Sequence, residues 1–275
     1  MPNKPKRRIA HRTRGIRQGS ITRLMSPSDL GEIAKPFVFL DLFDADRPDS
    51  EGDGMHPHSG IATVTYLLKG SIRYVDTDGR RGVVSRNGME WMKAGGGAWH
   101  GGGIGKPEGA RGFQLWIALP PESEMDPAES VYLAPEAIPR EGPVRVLLGS
   151  QGGASGSIRP PSPLNYLFVT LAAGERWLYE PPEGHTVGLV AVGAGDLMAS
   201  EPLRFGDLAV LELSDAAIEF EARTDAEFIL GSAVPHPYEL ALGTHSVHAS
   251  RQALRTGESR IARIGARLMA DGRLP

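Results

Sequence analysis

The 275-residue sequence contains no cysteine. Disulfide bonds, thiolate metal ligands and a cysteine nucleophile are therefore excluded, and any transition-metal site must use His, Asp, Glu or water. No apolar run reaches the roughly 18–20 residues that a membrane-spanning helix requires. The N-terminus is basic, but no apolar segment typical of a secretory signal follows it, so we expect a cytoplasmic protein with no membrane partner.

Two common kinds of site are also unsupported. A Gly-x-Gly-x-x-Gly spacing occurs around residues 97–105, but no strand–helix unit frames it, so it does not predict a nucleotide site. No arrangement of serine or threonine with histidine and an acid indicates a hydrolase. The sequence assigns no catalytic residue.

Basic residues are concentrated at the N-terminus, although the net charge of the whole chain is −3. This segment, residues 1–17, carries Lys4, Lys6, Arg7, Arg8, Arg12, Arg14 and Arg17. It is either an arm that binds nucleic acid or another anion, or a solvated segment. We favour the solvated segment and expect no direct nucleic-acid binding, because no aromatic side chains that could stack on bases are interleaved with the basic ones.

Glycine and proline are abundant, with 35 and 22 residues, and they separate many short apolar segments. This pattern is typical of an all-β sandwich or barrel. The predicted strands include residues 36–43, 61–68, 71–75, 82–85, 89–93 and 113–119, then 144–148, 164–171, 185–192, 208–213, 218–222 and 228–230. We predict two β-domains, residues 1–134 and 135–275. Only the tail is predicted to be helical, over residues 250–254 and 258–268.

The most informative motif is the pair His56 and His58, followed by His100 within a glycine-rich segment. Side chains alternate between the two faces of a strand, so a His-x-His pair places both imidazoles on one side. Two such imidazoles can bind one metal ion, and a third histidine on a neighbouring strand would complete a set that leaves coordination positions open. The sequence therefore predicts a metal site formed by these three residues in the first domain.

Several segments together resemble the pirin family over roughly residues 35–250. They are His56-Pro57-His58-Ser59-Gly60, residues 63–66, Gly70, residues 90–92, residues 94–97, His100, residues 113–116, residues 119–120, residues 162–166, residues 231–233 and residues 236–237. The resemblance implies two tandem cupin barrels, the first holding one non-haem metal and the second holding none. Iron(II) is the favoured metal, ahead of zinc, manganese, nickel and copper.

The resemblance implies two different functions. Some pirins are flavonol (quercetin) 2,3-dioxygenases, which predicts a small aromatic substrate here. Others regulate a transcription factor or a metabolic enzyme, which predicts a non-catalytic, metal- or redox-sensing protein with a protein partner. In either case we expect a monomer or a weak homo-oligomer.

The chain departs from the family pattern near the predicted site. Pirins usually follow the third histidine with Ser-Glu, whose glutamate is the fourth ligand, whereas this chain has Gly101 and Gly102. Ala62 stands where the family tends to carry another glutamate. We expect both changes to remove carboxylate from the pocket and to weaken metal binding. A glutamate introduced at Gly102, the vacant fourth-ligand position, should then raise metal affinity.

Other polar and aromatic residues are predicted to have supporting or structural roles. Glu90 is expected to lie beside the ligands rather than to replace the missing one. Gln114 either contacts a bound water or substrate or is a polar strand residue satisfied locally, and we favour the second. Structural roles are expected for Trp91, Trp99, Trp116, His185, His236, His245 and His248, and His11 is expected to be solvated.

Overall fold

The computed structural model describes residues 7–45, 54–104 and 109–274. Strands in the first half are β1 (Ile9–Thr13), β2 (Ile16–Gln18), β3 (Ile21–Met25), β4 (Phe37–Ala45), β5 (His56–His58), β6 (Ile61–Asp76), β7 (Arg81–Ser85), β8 (Met89–Lys93), β9 (Ala98–Ile104), β10 (Ala110–Ala118) and β11 (Glu129–Leu133). Strands in the second half are β12 (Arg140–Glu141), β13 (Val144–Leu148), β14 (Ser150–Gln151), β15 (Ala154–Ser155), β16 (Leu164–Leu171), β17 (Arg176–Tyr179), β18 (Val187–Ala194), β19 (Asp196–Met198), β20 (Pro202–Arg204), β21 (Leu208–Leu211), β22 (Ile218–Ala222), β23 (Ala226–Ala233), β24 (Ala241–Leu242) and β25 (Val247–His248). The helices are α1 (Leu30–Ala34), α2 (Arg251–Ala270) and a short 3₁₀ turn, Pro135–Ala137.

Two large antiparallel sheets form the two domains. The first has the order β11-β8-β6-β10-β4-β3-β2, with β5, β7 and β9 continuing from β6 as a second layer. The second has the order β1-β21-β18-β23-β16-β13-β12 and is covered by the smaller sheet β17-β22-β19-β20. The all-β fold with two jelly-roll domains and a C-terminal helix is confirmed, although the sheets are open sandwiches rather than closed barrels.

The two large sheets pack against each other through an apolar core. Tyr66 of β6 lies 4.8 Å from Phe168 of β16, measured between ring centroids, and Phe37 lies 6.4 Å from Tyr166. All four side chains are buried. Burying aromatic surface of this size contributes strongly to stability, so one hydrophobic core joins the domains.

The predicted separation of strands 61–68 and 71–75 is wrong, because β6 continues through Gly70 as one strand of 16 residues. Gly70 has φ +70°, and a Cβ atom placed there would lie 1.9 Å from the carbonyl oxygen of Gly109. Glycine therefore lets the strand bend. Its first half pairs with β8 and β10, and its second half pairs with β7 and β9.

The helical predictions were incomplete. Residues 250–270 form one capped helix rather than two pieces, since Ser250 accepts a hydrogen bond from the amide of Ala253 and the helix continues through Gly257. Gly257 is buried against the first domain, and this tertiary packing outweighs the roughly 1 kcal/mol helix cost of a glycine. The helix α1, capped by Asp29, was not predicted. No helix among the described residues is both long and apolar enough to cross a membrane.

The basic N-terminal segment is not simply solvated. Lys4 and Lys6 lie outside the described residues, but β1 pairs with β21 of the second sheet. Arg7 is buried and donates hydrogen bonds to the carbonyls of Thr186 and Glu212. Arg12 forms an ion pair with the buried Asp207. Arg7 and Arg12 therefore hold the N-terminal segment against the second sheet, whereas the sequence had predicted that this segment would be solvated.

The chain also returns to the first domain after completing the second. Residues 241–248 and helix α2 contact β5 and β9, and Ser59 forms a parallel bridge with Ser246. The division of the chain at residues 134 and 135 stays a prediction, with both ends of the chain crossing it. This returning segment lies beside the predicted histidine ligands, where the carbonyl of His245 accepts a hydrogen bond from His58.

Candidate metal centre

The pairing of β5 with β9 brings the three predicted histidines together. His56 lies directly opposite His100, and Pro57 between the two strand histidines lies opposite Trp99. The ring centroids of His56, His58 and His100 are 4.7–5.1 Å apart. One nitrogen from each ring lies within 4.8 Å of the others. Strand alternation thus produces the cluster expected from the His-x-His spacing.

Each of the three imidazoles has its Nδ1 atom occupied by a hydrogen bond. The acceptors are the carbonyl of Gly54 for His56 at 2.9 Å, the carbonyl of His245 for His58 at 2.9 Å, and the Glu90 carboxylate for His100 at 3.0 Å. Carbonyl and carboxylate oxygens only accept, so Nδ1 carries the proton and Nε2 carries the lone pair.

The Nε2 atoms of His58 and His100 are buried and have no hydrogen-bond partner among the described residues. An orphaned buried acceptor is costly, and a metal ion would satisfy it. The residues present therefore fit a divalent transition metal that accepts three neutral nitrogen ligands.

Burial also keeps His56 and His58 unprotonated. Together with the neighbouring imidazoles, it lowers the pKa of His56 to about 4 and the pKa of His58 well below the ordinary value of 6.5. A neutral imidazole is the form that binds metal. At neutral pH these two residues do not need to lose a proton before a metal binds.

A polar row crosses the first sheet beneath the histidines. Asp41, Gln114, Thr65 and Glu90 are register partners on four adjacent strands. The carboxylate of Glu90 binds His100 through one oxygen, and the other accepts a hydrogen bond from Thr65 at 3.3 Å. Glu90 thus lies beside the ligands, where it orients His100.

The two departures from the family pattern have different structural meanings. Ala62 is buried in the core between the domains with Val64 and Tyr66, so its replacement of a glutamate removes nothing from the pocket, contrary to expectation. Gly102 does line a cavity beside the histidines. However, a Cβ atom placed on Gly102 would lie 1.9 Å from the carbonyl oxygen of Arg73 on the paired strand. A glutamate therefore does not fit this backbone.

The returning C-terminal segment holds the strand that carries His58. Beyond the bond from His58 to the carbonyl of His245, the hydroxyl of Ser59 contacts Ser246 at 2.9 Å and Nε2 of His248 at 3.0 Å. Nδ1 of His248 in turn donates to Glu124 at 3.0 Å. We call Ser59, Ser246, His248 and Glu124 the latch.

The latch contains the serine, histidine and acid of a hydrolase triad, which the sequence had not indicated. Ser59, His248 and Glu124 are at most 4% exposed, and helix α2 covers them at Gly257. A Cβ atom on Gly257 would lie 2.5 Å from both Ser59 and His248. Substrate cannot reach a serine enclosed in this way, so the latch is structural and His248 has the role expected of it.

Two cavities adjoin the histidines and share His56, Gln114 and Ile21. The smaller, about 190 Å³, also contacts Glu90, His100 and Gly101–Gly103. The larger, about 410 Å³, reaches the second domain's returning segment, and its other lining residues include Arg23, Phe39, Asp41, His58, Trp116, Leu242 and His245. Gln114 thus faces the site, contrary to the favoured interpretation of the sequence.

Sequence reasoning missed two members of this site. Trp116 packs against His58 at 4.9 Å and lines the larger cavity, whereas Trp91 and Trp99 have structural positions. His245 lies 187 residues from His58 in the chain, and no periodic pattern connects them. Trp116 is two residues from Gln114 on β10, so both side chains lie on the same face of the strand. This spacing was the sequence signal available for Trp116.

The sequence is similar to the Pirin family and to individual proteins related to it. The sequence model of the Pirin family matches residues 19–117. A Pseudomonas aeruginosa protein named "Putative quercetin 2,3-dioxygenase" is 35% identical over 205 residues, which cover 70% of this chain and 72% of that protein. A "Pirin-like protein" of Caulobacter vibrioides is 31% identical over 219 residues, covering 76% of this chain and 79% of its own.

Solved structures share the fold at lower identity. A quercetin 2,3-dioxygenase from Acinetobacter baumannii has a TM-score of 0.84 at 24% identity, covering 94% of this chain and 98% of its own. A bacterial pirin from Escherichia coli, solved in complex with nickel(II), has a TM-score of 0.65 at 19% identity, covering 84% and 98%.

Proposed function

Since this chain belongs to the pirin family, we propose that its first domain binds one divalent transition metal through Nε2 of His56, His58 and His100. We further propose that iron(II) is the natural metal, and that the protein carries out oxygen-dependent oxidation of a flavonol-type aromatic substrate. The relative named as a quercetin dioxygenase supports the reaction class. The second domain is proposed to hold no metal.

One observation carries the metal assignment. Three buried or half-buried imidazoles point one nitrogen each at a common point, while the other nitrogen of each is committed to an oxygen acceptor. Structural histidines in a protein core usually satisfy both nitrogens or leave one in water. The three Nε2 atoms converge, and those of His58 and His100 are buried without a partner among the described residues, which is the arrangement that metal binding explains.

When bound, a divalent metal would supply open positions for a substrate oxygen and would lower the pKa of the corresponding hydroxyl, which favours its anion. The chain provides the surroundings. Glu90 fixes the tautomer of His100, and Phe39 stacks on Trp116 with ring centroids 4.1 Å apart, forming an apolar wall beside the site. Because Glu90 is committed to His100 and Gly102 has no side chain, we propose that substrate enters as its anion.

A second candidate function is supported by the latch. His58 is linked through the segment 245–248 to helix α2 at the surface. A change of metal charge could therefore alter a surface that a regulatory protein partner contacts, without catalysis. Both candidate functions use the same metal site, but only the first includes oxidation of a substrate.

Reconstitution separates these candidates. Metal-free protein is loaded anaerobically with iron(II), zinc, manganese, nickel or copper, bound metal is measured, and oxygen consumption is followed after quercetin is added. His100→Ala is the control that should lose metal. Oxygen consumption proportional to bound metal supports the dioxygenase, and stoichiometric metal without consumption supports the sensing protein. Failure to bind any of the metals stoichiometrically overturns both.

A further inference from the structure

His245 comes from the second domain's returning segment and stands at the edge of the metal centre. Its ring centroid lies 6.1 Å from that of His56 and 6.0 Å from that of His58. Its backbone is anchored, because its carbonyl accepts the hydrogen bond from Nδ1 of His58. The side chain is half-buried and lines the larger cavity. A fourth imidazole thus lies beside the cluster, on a backbone that the cluster itself anchors.

That distance is too long for a fourth metal ligand. The three clustered rings are 4.7–5.1 Å apart, and their ligand atoms form a group within 4.8 Å that does not include His245. Rings that share one metal in adjacent positions must lie about as close as those three, since each metal–nitrogen bond is only about 2.0–2.1 Å. The extra separation leaves room for ligand atoms between His245 and the cluster.

The cavity that separates them has the lining of an aromatic binding site. Phe39 and Trp116 are stacked within 9° of parallel, and the guanidinium of Arg23 lies 4.0 Å above the Phe39 ring. Trp116 is only 8% exposed, and its Nε1–H has no hydrogen-bond partner among the described residues. A buried donor without an acceptor indicates a place for a ligand oxygen, because leaving such a donor unpaired is costly.

We infer that His245 is a substrate-binding residue, which hydrogen-bonds an oxygen substituent of a flat aromatic ligand lying in the larger cavity. The inference rests on the proposed metal site, because the ligand's adjacent oxygens would face His56 and His58 while its ring lies along the Trp116 side. The complete site is then built by both domains. This arrangement gives the second domain a direct part in ligand binding.

The test uses zinc-loaded full-length protein and 4-nitrocatechol, a coloured aromatic with two adjacent hydroxyls, so that binding is measured by absorbance without turnover. The variants are His245→Ala and His245→Asn, which keeps a hydrogen-bonding side chain. The control is His11→Ala, which removes an exposed imidazole on β1 that lines neither cavity. Bound zinc and melting temperature are measured for every protein.

We expect His245→Ala to retain zinc and to bind 4-nitrocatechol about tenfold more weakly, the loss of roughly one hydrogen bond. His245→Asn should recover part of the affinity, and His11→Ala should bind as the wild type does. Unchanged affinity in a zinc-loaded, folded His245→Ala variant overturns the inference but leaves the metal site standing. Loss of zinc from that variant overturns it too, because His245 would then support the metal. Absence of zinc from the wild type would instead refute the proposed function.

Discussion

Nδ1 of His100 lies 3.0 Å from Oε1 of Glu90, and both side chains are buried. The two residues are on β9 and β8, which pair with different halves of β6. A buried carboxylate that accepts the free N–H of a ligand histidine fixes its tautomer and raises its basicity. This pair makes Glu90 a supporting residue of the metal centre rather than a ligand.

Replacing Glu90 by glutamine should weaken metal binding by about 10–100-fold while the fold is retained. The amide lacks the charge that favours Nδ1–H on His100, so Nε2 becomes a weaker ligand. Competition with a chelator at fixed pH measures the effect. The control is Thr65→Val, which removes only the 3.3 Å hydrogen bond to the other oxygen of Glu90 and should cost much less. Equal affinity for wild type and Glu90→Gln would show that the carboxylate does not orient His100.

Gly102→Glu should destabilise the protein and fail to raise metal affinity. The Cβ atom would overlap the Arg73 carbonyl at 1.9 Å, which must disturb the pairing of β9 with β6. Overpacking of this kind costs about 1–3 kcal/mol or more. Urea unfolding measures the loss of stability, and Gly153→Ala is the control. A Cβ atom on Gly153 would lie 3.8 Å from the Glu141 carboxylate, which is an ordinary contact. A well-folded Gly102→Glu with tighter metal binding would contradict the backbone geometry described here.

Glu124→Ala should lower the free energy of unfolding by about 1–3 kcal/mol, because burial lowers the pKa of His248 and its neutral imidazole loses the acceptor of a buried Nδ1–H. The amide of Ala249 loses the same oxygen at 2.8 Å. Exposed Glu122 supplies the control, and Glu122→Ala should change stability by less than about 0.5 kcal/mol. Chemical unfolding of metal-free protein measures both. A small effect of Glu124→Ala would show that the latch does not hold the returning segment.

His236 should make folding stability depend on pH between about 6.5 and 4. Burial, assisted by the charge of Lys35, lowers the pKa of His236 to about 4. In that pH window the unfolded chain binds a proton at this residue and the folded chain does not, so stability falls as pH falls, by at most about 1.4 kcal/mol per pH unit. His236→Gln should remove this component of the slope.

Urea unfolding of wild type and His236→Gln at several pH values between 7 and 4.5 measures that component. The control is His11→Gln, because His11 is exposed on β1 and its replacement should leave the slope as it is. Parallel pH slopes for wild type and His236→Gln would contradict the buried, neutral state of His236.

Local patterns accounted for the parts of the site that lie close together in the chain. Two histidines separated by one residue must share a strand face, and glycine and proline between apolar runs predicted the strands that bring His100 back to them. These inferences held because strand period and turn chemistry depend on neighbouring residues. The resemblance to pirins added the expectation that the two predicted β-domains are tandem cupins.

Long-range packing decided what local patterns could not. His245 reaches His58 across 187 residues, and the latch forms only because Gly60 and Gly257 allow the returning segment and helix α2 to approach Ser59 closely. Ala62 lies in the core between the domains and not in the pocket, because the second sheet packs against its side of β6. The histidine motif and the β-fold were thus determined by the sequence locally. The second domain's contribution to the site was decided only by the tertiary structure, because contacts between distant residues depend on how whole sheets pack.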